Sequence, residues 1–84
     1  MYDIYLERNA EKDLRKLNEE VFRKVVAKLK ELSGNPRPPG SRKITGAKSD
    51  WRIRIGTYRV IYEIDENAKT LKIMRIRHRR EAYR

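Results

Sequence analysis

The chain has 84 residues, with 22 Lys and Arg against 12 Asp and Glu, a net charge of +10 and a pI near 10.2. A chain this short buries only about 60–65% of its unfolded surface, so one domain over residues 1–84 is expected and a deep multilayered enzyme core is excluded. With no cysteine and one histidine, neither a disulfide framework nor a thiolate or His-rich metal site can be built, and no metal or small-molecule cofactor is expected. There is no long apolar run, and the N-terminus MYDIYLERNA lacks the basic-then-apolar layout of a signal peptide. A soluble, cytoplasmic protein with no membrane partner is therefore expected. The charge excess points to a polyanionic or acidic partner.

The excess is uneven: residues 1–41 carry 9 basic and 7 acidic side chains, net +2, while residues 42–84 carry 13 and 5, net +8. In chain order, Tyr2-Asp3-Ile4-Tyr5-Leu6 mixes aromatic and β-branched residues and predicts a short first strand. A helix follows, with Asn9 as its expected N-cap and Leu14 and Leu17 at i, i+3 spacing. Asn18 restarts the pattern as a second N-cap, Glu19 and Glu20 suit the positive end of a helix dipole, and Phe22, Val25, Leu29 and Leu32 predict one apolar stripe. Ser33-Gly34-Asn35-Pro36 ends that helix. The two helices make an αα-hairpin whose stripe must cover a sheet built from the rest of the chain. From Gly34 to Asp50 the composition is that of a loop pinned by Ile44, in which Arg42, Lys43 and Lys48 could touch a phosphate backbone. Three antiparallel strands are expected beyond it, over 51–55, 58–64 and about 70–77.

Trp51-Arg52-Ile53-Arg54-Ile55 alternates strictly, and Gly56-Thr57 suits a two-residue type II′ turn. That turn sets Arg54 opposite Arg59, Ile53 opposite Val60 and Arg52 opposite Ile61, gathering Arg52, Arg54 and Arg59 on the face away from the core. Two arginines directly across a strand pair disfavour the fold by a few tenths to about 1 kcal/mol, so an anionic ligand is the natural reason to keep them. If Met74 and Ile76 point to the core, Arg75, Arg77 and Arg79 join the same face, with His78 and Tyr83 at the end of the basic concavity.

Cleaving RNA without a metal takes a base for the 2′-OH, an acid for the leaving 5′-oxygen, and cations that stabilise the pentacovalent phosphorane. Tyr83, whose phenolate neighbouring guanidinium groups would favour, and His78 are both candidate bases, and Arg79 is the candidate to neutralise the leaving oxygen. No carboxylate pair, nucleophile triad, P-loop or dinucleotide-binding glycine motif is present.

The order of strand, αα-hairpin and basic loop with Lys43-Ile44-Thr45-Gly46, then Trp51 to Ile64 and finally Ile76-Arg77-His78-Arg79-Arg80-Glu81-Ala82-Tyr83, resembles a toxin of the RelE/ParE superfamily, nearer its RelE-type mRNA interferases. The resemblance spans essentially the whole chain. It implies a small α+β, microbial-ribonuclease-like fold: a mainly antiparallel sheet of about four strands, covered on one face by the αα-hairpin. It also implies a toxin of a type II toxin-antitoxin system that cleaves mRNA in the ribosomal A site, leaving a 2′,3′-cyclic phosphate and a 5′-hydroxyl. The partners implied are the ribosome with its mRNA and rRNA, and an acidic, RelB-like antitoxin. The family's functional positions fall on Arg52, Arg54, Arg59, Arg79 and Tyr83, with His78 at a position where some relatives use histidine. A ParE-type DNA gyrase inhibitor on the same fold, and a non-catalytic basic RNA-binding module, are the alternatives.

Overall fold

A computed structural model of the chain describes residues 1–46 and 49–80. Seven elements follow in order: β1 (Asp3–Leu6), α1 (Arg8–Arg15), α2 (Glu19–Gly34), β2 (Arg42–Lys43), β3 (Asp50–Ile55), β4 (Tyr58–Asp65) and β5 (Thr70–His78). They form one five-stranded sheet of order β1-β5-β4-β3-β2, with β1 parallel to β5 and every other pairing antiparallel. The sheet gains the two-residue edge strand β2 inside the expected loop, where Ile44 N–H also donates to the Asp50 carbonyl at 2.9 Å.

Asn18 caps α2 as expected, its side chain accepting from Val21 N–H at 2.9 Å. Asn9 does not cap α1. The N-cap is Glu7, without a side-chain bond, because Glu7 N–H donates to the Ile73 carbonyl and ties the end of β1 to β5 just where the helix begins. The buried line of α2 is Val25, Leu29 and Leu32, with Val21 packed against it, a ridge of i, i+4 and i, i+3 steps. Phe22, expected in that stripe, sits about 100° round the helix and is 41% exposed. Ser33 fastens the other end, since its carbonyl accepts from Tyr2 N–H at 2.9 Å and its hydroxyl donates to the Tyr2 carbonyl at 2.7 Å.

The helices lie against the sheet face that carries Ile53, Ile55, Val60, Tyr62, Ile64, Leu71, Ile73 and Ile76, which together with Ala10 and the α2 ridge make the core. Tyr62 is fully buried and its hydroxyl donates to the Pro36 carbonyl at 2.7 Å, so the loop after α2 is tied through the core. Burial pushes the Tyr62 phenol above its ordinary range, against smaller opposing effects of Ser41 and Arg37.

Strand β5 departs from simple alternation. Tyr62 pairs with Ile73 and Ile61 with Arg75, leaving Met74 as the extra residue of a β-bulge. The expectation that Met74 points into the core is thus corrected: Leu71 and Ile73 fill the core before the bulge, Ile76 after it, and Met74 is half-buried. Apolar residues spaced 71, 73 and 76 can share a face only if one residue between them is skipped.

Candidate nucleic-acid interface

The hairpin register follows from its turn. Gly56 has φ +59° and Thr57 has no positive φ, which excludes type I′ and matches type II′. Arg54 consequently faces Arg59, Ile53 faces Val60, and Arg52 faces Ile61. On the other side of β4, Arg59 faces Arg77 of β5. A row of three arginines, Arg54, Arg59 and Arg77, therefore crosses β3, β4 and β5 at right angles to the strands. Two residues further from the turn lies a second row, Arg42 of β2, Arg52 of β3, Ile61 of β4 and Arg75 of β5.

The bulge at Met74 decides the composition of these rows. An unbroken ladder from the Tyr62–Ile73 pair would set Ile76 opposite Arg59 and turn Arg77 toward the helices. The inserted residue reverses the parity and delivers Arg77 to the arginine face.

Arg59 is the most enclosed of the group, 6% exposed, whereas Arg52 and Arg54 are exposed and Arg77 is half-buried. A concavity of about 290 Å³ opens here, lined by Gly40, Arg42, Arg52, Ile53, Arg54 and Arg59. Among the described residues no ion pair involves Arg42, Arg52 or Arg54, although acidic side chains elsewhere pair with bases on both helices. Each like-charged cross-strand contact costs about 0.2–1 kcal/mol. The sheet thus concentrates positive charge against its own stability, in planar forks suited to two phosphate oxygens at once.

Arg75 has the parity of the second row but is held elsewhere. Its Nε and Nη2 donate to the Asp13 carboxylate of α1 at 2.9 and 3.3 Å, and the same carboxylate accepts from Ile76 N–H at 3.0 Å. Lys43 pairs with Trp51, which puts it on the parity opposite to the arginines, while its neighbour Arg42 lines the concavity. Arg79 is exposed just past β5, its N–H donating to the Thr57 carbonyl at 2.6 Å.

His78 is not at the end of the basic concavity, as the sequence reading placed it. It pairs with Tyr58 on the core-side parity and meets that ring edge-on, with centroids 5.2 Å apart and planes at 88°. Its Nδ1 accepts from Arg80 N–H at 3.2 Å, and it lines a separate cavity of about 210 Å³ with Asp13, Lys16, Leu17, Tyr58 and Ile76. One sheet thickness separates it from Arg59. Tyr83 lies outside the described residues.

Asp13 has a tertiary role with no local signal in the sequence, whereas Arg42, a candidate phosphate contact in the Pro- and Gly-rich stretch, does reach the concavity. No three His, Cys, Asp or Glu side chains gather as metal ligands among the described residues. No helix there is long and apolar enough to cross a membrane.

Residues 4–83 match the family described as ParE toxin of type II toxin-antitoxin system, parDE. Toxin RelG of Mycobacterium tuberculosis is 34% identical over 87 residues, covering 99% of this chain and 97% of that protein. The fold superposes on the archaeal RelE-RelB complex of Pyrococcus horikoshii with TM-score 0.83 at 26% identity, covering 93% of this chain and 94% of that one. It also superposes on the RelBE2 toxin-antitoxin complex of M. tuberculosis with TM-score 0.81 at 30% identity, covering 93% and 98%. With the sheet order, the αα-hairpin and the arginine rows already in place, these likenesses identify the chain as a toxin of the RelE/ParE superfamily, the toxin component of a type II toxin-antitoxin system.

Proposed function

We propose that the chain is a ribosome-dependent endoribonuclease that cleaves mRNA in the A site and so arrests translation. The observation that carries this reading is the Arg54, Arg59 and Arg77 row, with the enclosed Arg59 at its centre. A guanidinium shielded from water binds the developing charge of a phosphorane more strongly than an exposed one, and its position is already organised. In the proposed reaction the 2′-oxygen loses its proton to a base and attacks phosphorus. The bond to the 5′-oxygen breaks, and that oxygen takes up a proton, leaving a 2′,3′-cyclic phosphate and a 5′-hydroxyl. Arg59 and Arg77 would hold the nonbridging oxygens, Arg52 and Arg54 the adjacent phosphates, Arg79 the leaving oxygen, and Tyr83 would be the base. Given its place behind the sheet, His78 is assigned to support of the hairpin end against Tyr58. The toxin-antitoxin complexes of the solved relatives support a cognate antitoxin for this chain as well, and the concentration of arginines would suit an acidic one.

Primer-extension mapping in a translation extract tests the reading. Wild type should cut within the A-site codon, and Arg59→Ala and Tyr83→Phe should each lose at least about 100-fold in rate. Equal cleavage by all three proteins would refute the site, and no cleavage by wild type the function. A gyrase inhibitor is the second reading, favoured by the ParE match over residues 4–83. It predicts inhibition of supercoiling that persists in the doubly substituted protein.

A further inference from the structure

The arginine rows occupy only half of their face. Continuing away from the hairpin turn on the same parity, the third row is Asp50 of β3, Glu63 of β4, Lys72 of β5 and Tyr5 of β1. The fourth row holds Asp65, Thr70 and Asp3. Asp50 and Glu63 stand directly opposite each other, a second like-charged pairing, now of carboxylates, and neither has an ion pair among the described residues. Lys72, the one base of these two rows, leans toward Glu7 at 3.8 Å. One sheet face is therefore polarised along its strands, from arginine at the turn to carboxylate at the far end.

We infer that Asp50 and Glu63 are positioning residues that bound the polyanion track, so that an RNA strand on this face runs across the β-strands, from β2 toward β5, and not along them. This rests on reading the face as a nucleic-acid interface. Rows on one face are about 7 Å apart, being two strand residues. A phosphate one row beyond Arg52 would therefore meet two carboxylates, whereas one displaced sideways from Arg54 meets Arg59 and then Arg77, about 5 Å per strand. Like charges separated by roughly 7 Å in water change occupancy about threefold each, within a Debye length of about 10 Å at 0.1 M salt. The field thus selects the direction of the strand as well as its sign.

The experiment maps amide shifts of the full-length protein titrated with 2′-O-methyl oligouridylates of about four and twelve nucleotides, which cannot undergo 2′-OH attack. In wild type both should perturb the rows of Arg52 and Arg54 and spare residues 50, 63, 65 and 72. In the Asp50→Asn/Glu63→Gln double variant the longer oligonucleotide should perturb the third row as well and bind about tenfold more tightly, with little change for the shorter. The dispersion of the unbound spectrum reports that the variant is folded. Perturbation of the third row in wild type, an unchanged map in the folded variant, or a variant that loses the fold would each overturn the inference, as would the absence of binding. Because the map needs no turnover, a wild type that binds in this pattern yet never cleaves would refute the proposed reaction and leave the track intact.

Discussion

Replacing Asp13 by alanine separates α1 from β5 at one point and should be among the most damaging single changes outside the core. A carboxylate in the last turn of an eight-residue helix opposes the helix dipole, so its place is explained by what it holds. It accepts two bonds from Arg75 and one from Ile76 N–H, the latter on a strand edge that β1, ending at Leu6, does not reach. The Asp13 side chain is 14% exposed and that of Arg75 35%. Removing a buried charged partner costs about 3–5 kcal/mol, reduced here because Arg75 can be rehydrated, so Asp13→Ala should lose about 2–3 kcal/mol. Asp13→Asn keeps one acceptor and should lose about 1 kcal/mol. For a domain of this size the alanine change lowers Tm by about 10–20 °C. Urea titrations of wild type, both Asp13 variants, Arg75→Ala and the double alanine variant close a cycle, with an expected coupling above about 1 kcal/mol at constant m-value. A loss below about 0.5 kcal/mol for Asp13→Ala, or strict additivity with Arg75→Ala, would refute the reasoning.

Tyr62→Phe removes the bond to the Pro36 carbonyl and should cost about 1 kcal/mol at neutral pH. Because the folded-state pKa of Tyr62 is raised, its contribution is complete below the unfolded value of about 10 and falls as pH climbs through the folded one. Denaturation midpoints of wild type and Tyr62→Phe should converge above that pH, and parallel profiles would contradict the assignment. Glu66 is the opposite case: hydrogen bonds from Tyr2 and then Arg37 hold its carboxyl low, so its contribution is present above about 4.5 and lost as pH falls through the folded value. Glu66→Gln should flatten the acid limb of the stability profile. Deleting Met74 removes the extra residue and leaves Leu71, Ile73 and Ile76 in simple alternation, so Arg75 and Arg77 keep the arginine parity and Arg77 stays opposite Arg59. The variant should fold and keep RNA affinity within about threefold, read by circular dichroism and oligonucleotide binding; a loss of about tenfold or more in a folded variant would count against Met74 as the residue that the ladder skips.

The β3–β4 hairpin was legible in the sequence because three constraints agree there: strict alternation from Trp51 to Ile55, a glycine able to take positive φ, and a second alternating strand at once beyond it. Register then gave the Arg54–Arg59 pairing without any tertiary information. Strand β5 was legible only as a strand, since apolar positions 71, 73 and 76 can be phased in more than one way and the bulge is settled by packing against Tyr62. Two expectations fail in this strand, for different reasons. The expectation for Met74 fails because the bulge skips it, and that for His78 fails because successive strand residues point to opposite faces, so His78 cannot share a face with Arg77. The pairing of β1 with β5 and the hold of Asp13 on Arg75 join residues distant along the chain, for which local pattern carries no signal.

The parallel pairing of β1 with β5 also bears on when this protein exists as a toxin. Asp3 through Leu6 find their sheet partners at Thr70 through Ile73, so the earlier-made strand waits for one made after both helices and three other strands. Arg77, which completes the three-arginine row, follows later still. A nascent chain whose C-terminal portion remains in the exit tunnel can form the αα-hairpin but cannot close the sheet or assemble the row. Closure of the sheet and assembly of the row are thereby one late event: the strand that supplies the partner of β1 is the strand that carries Arg77.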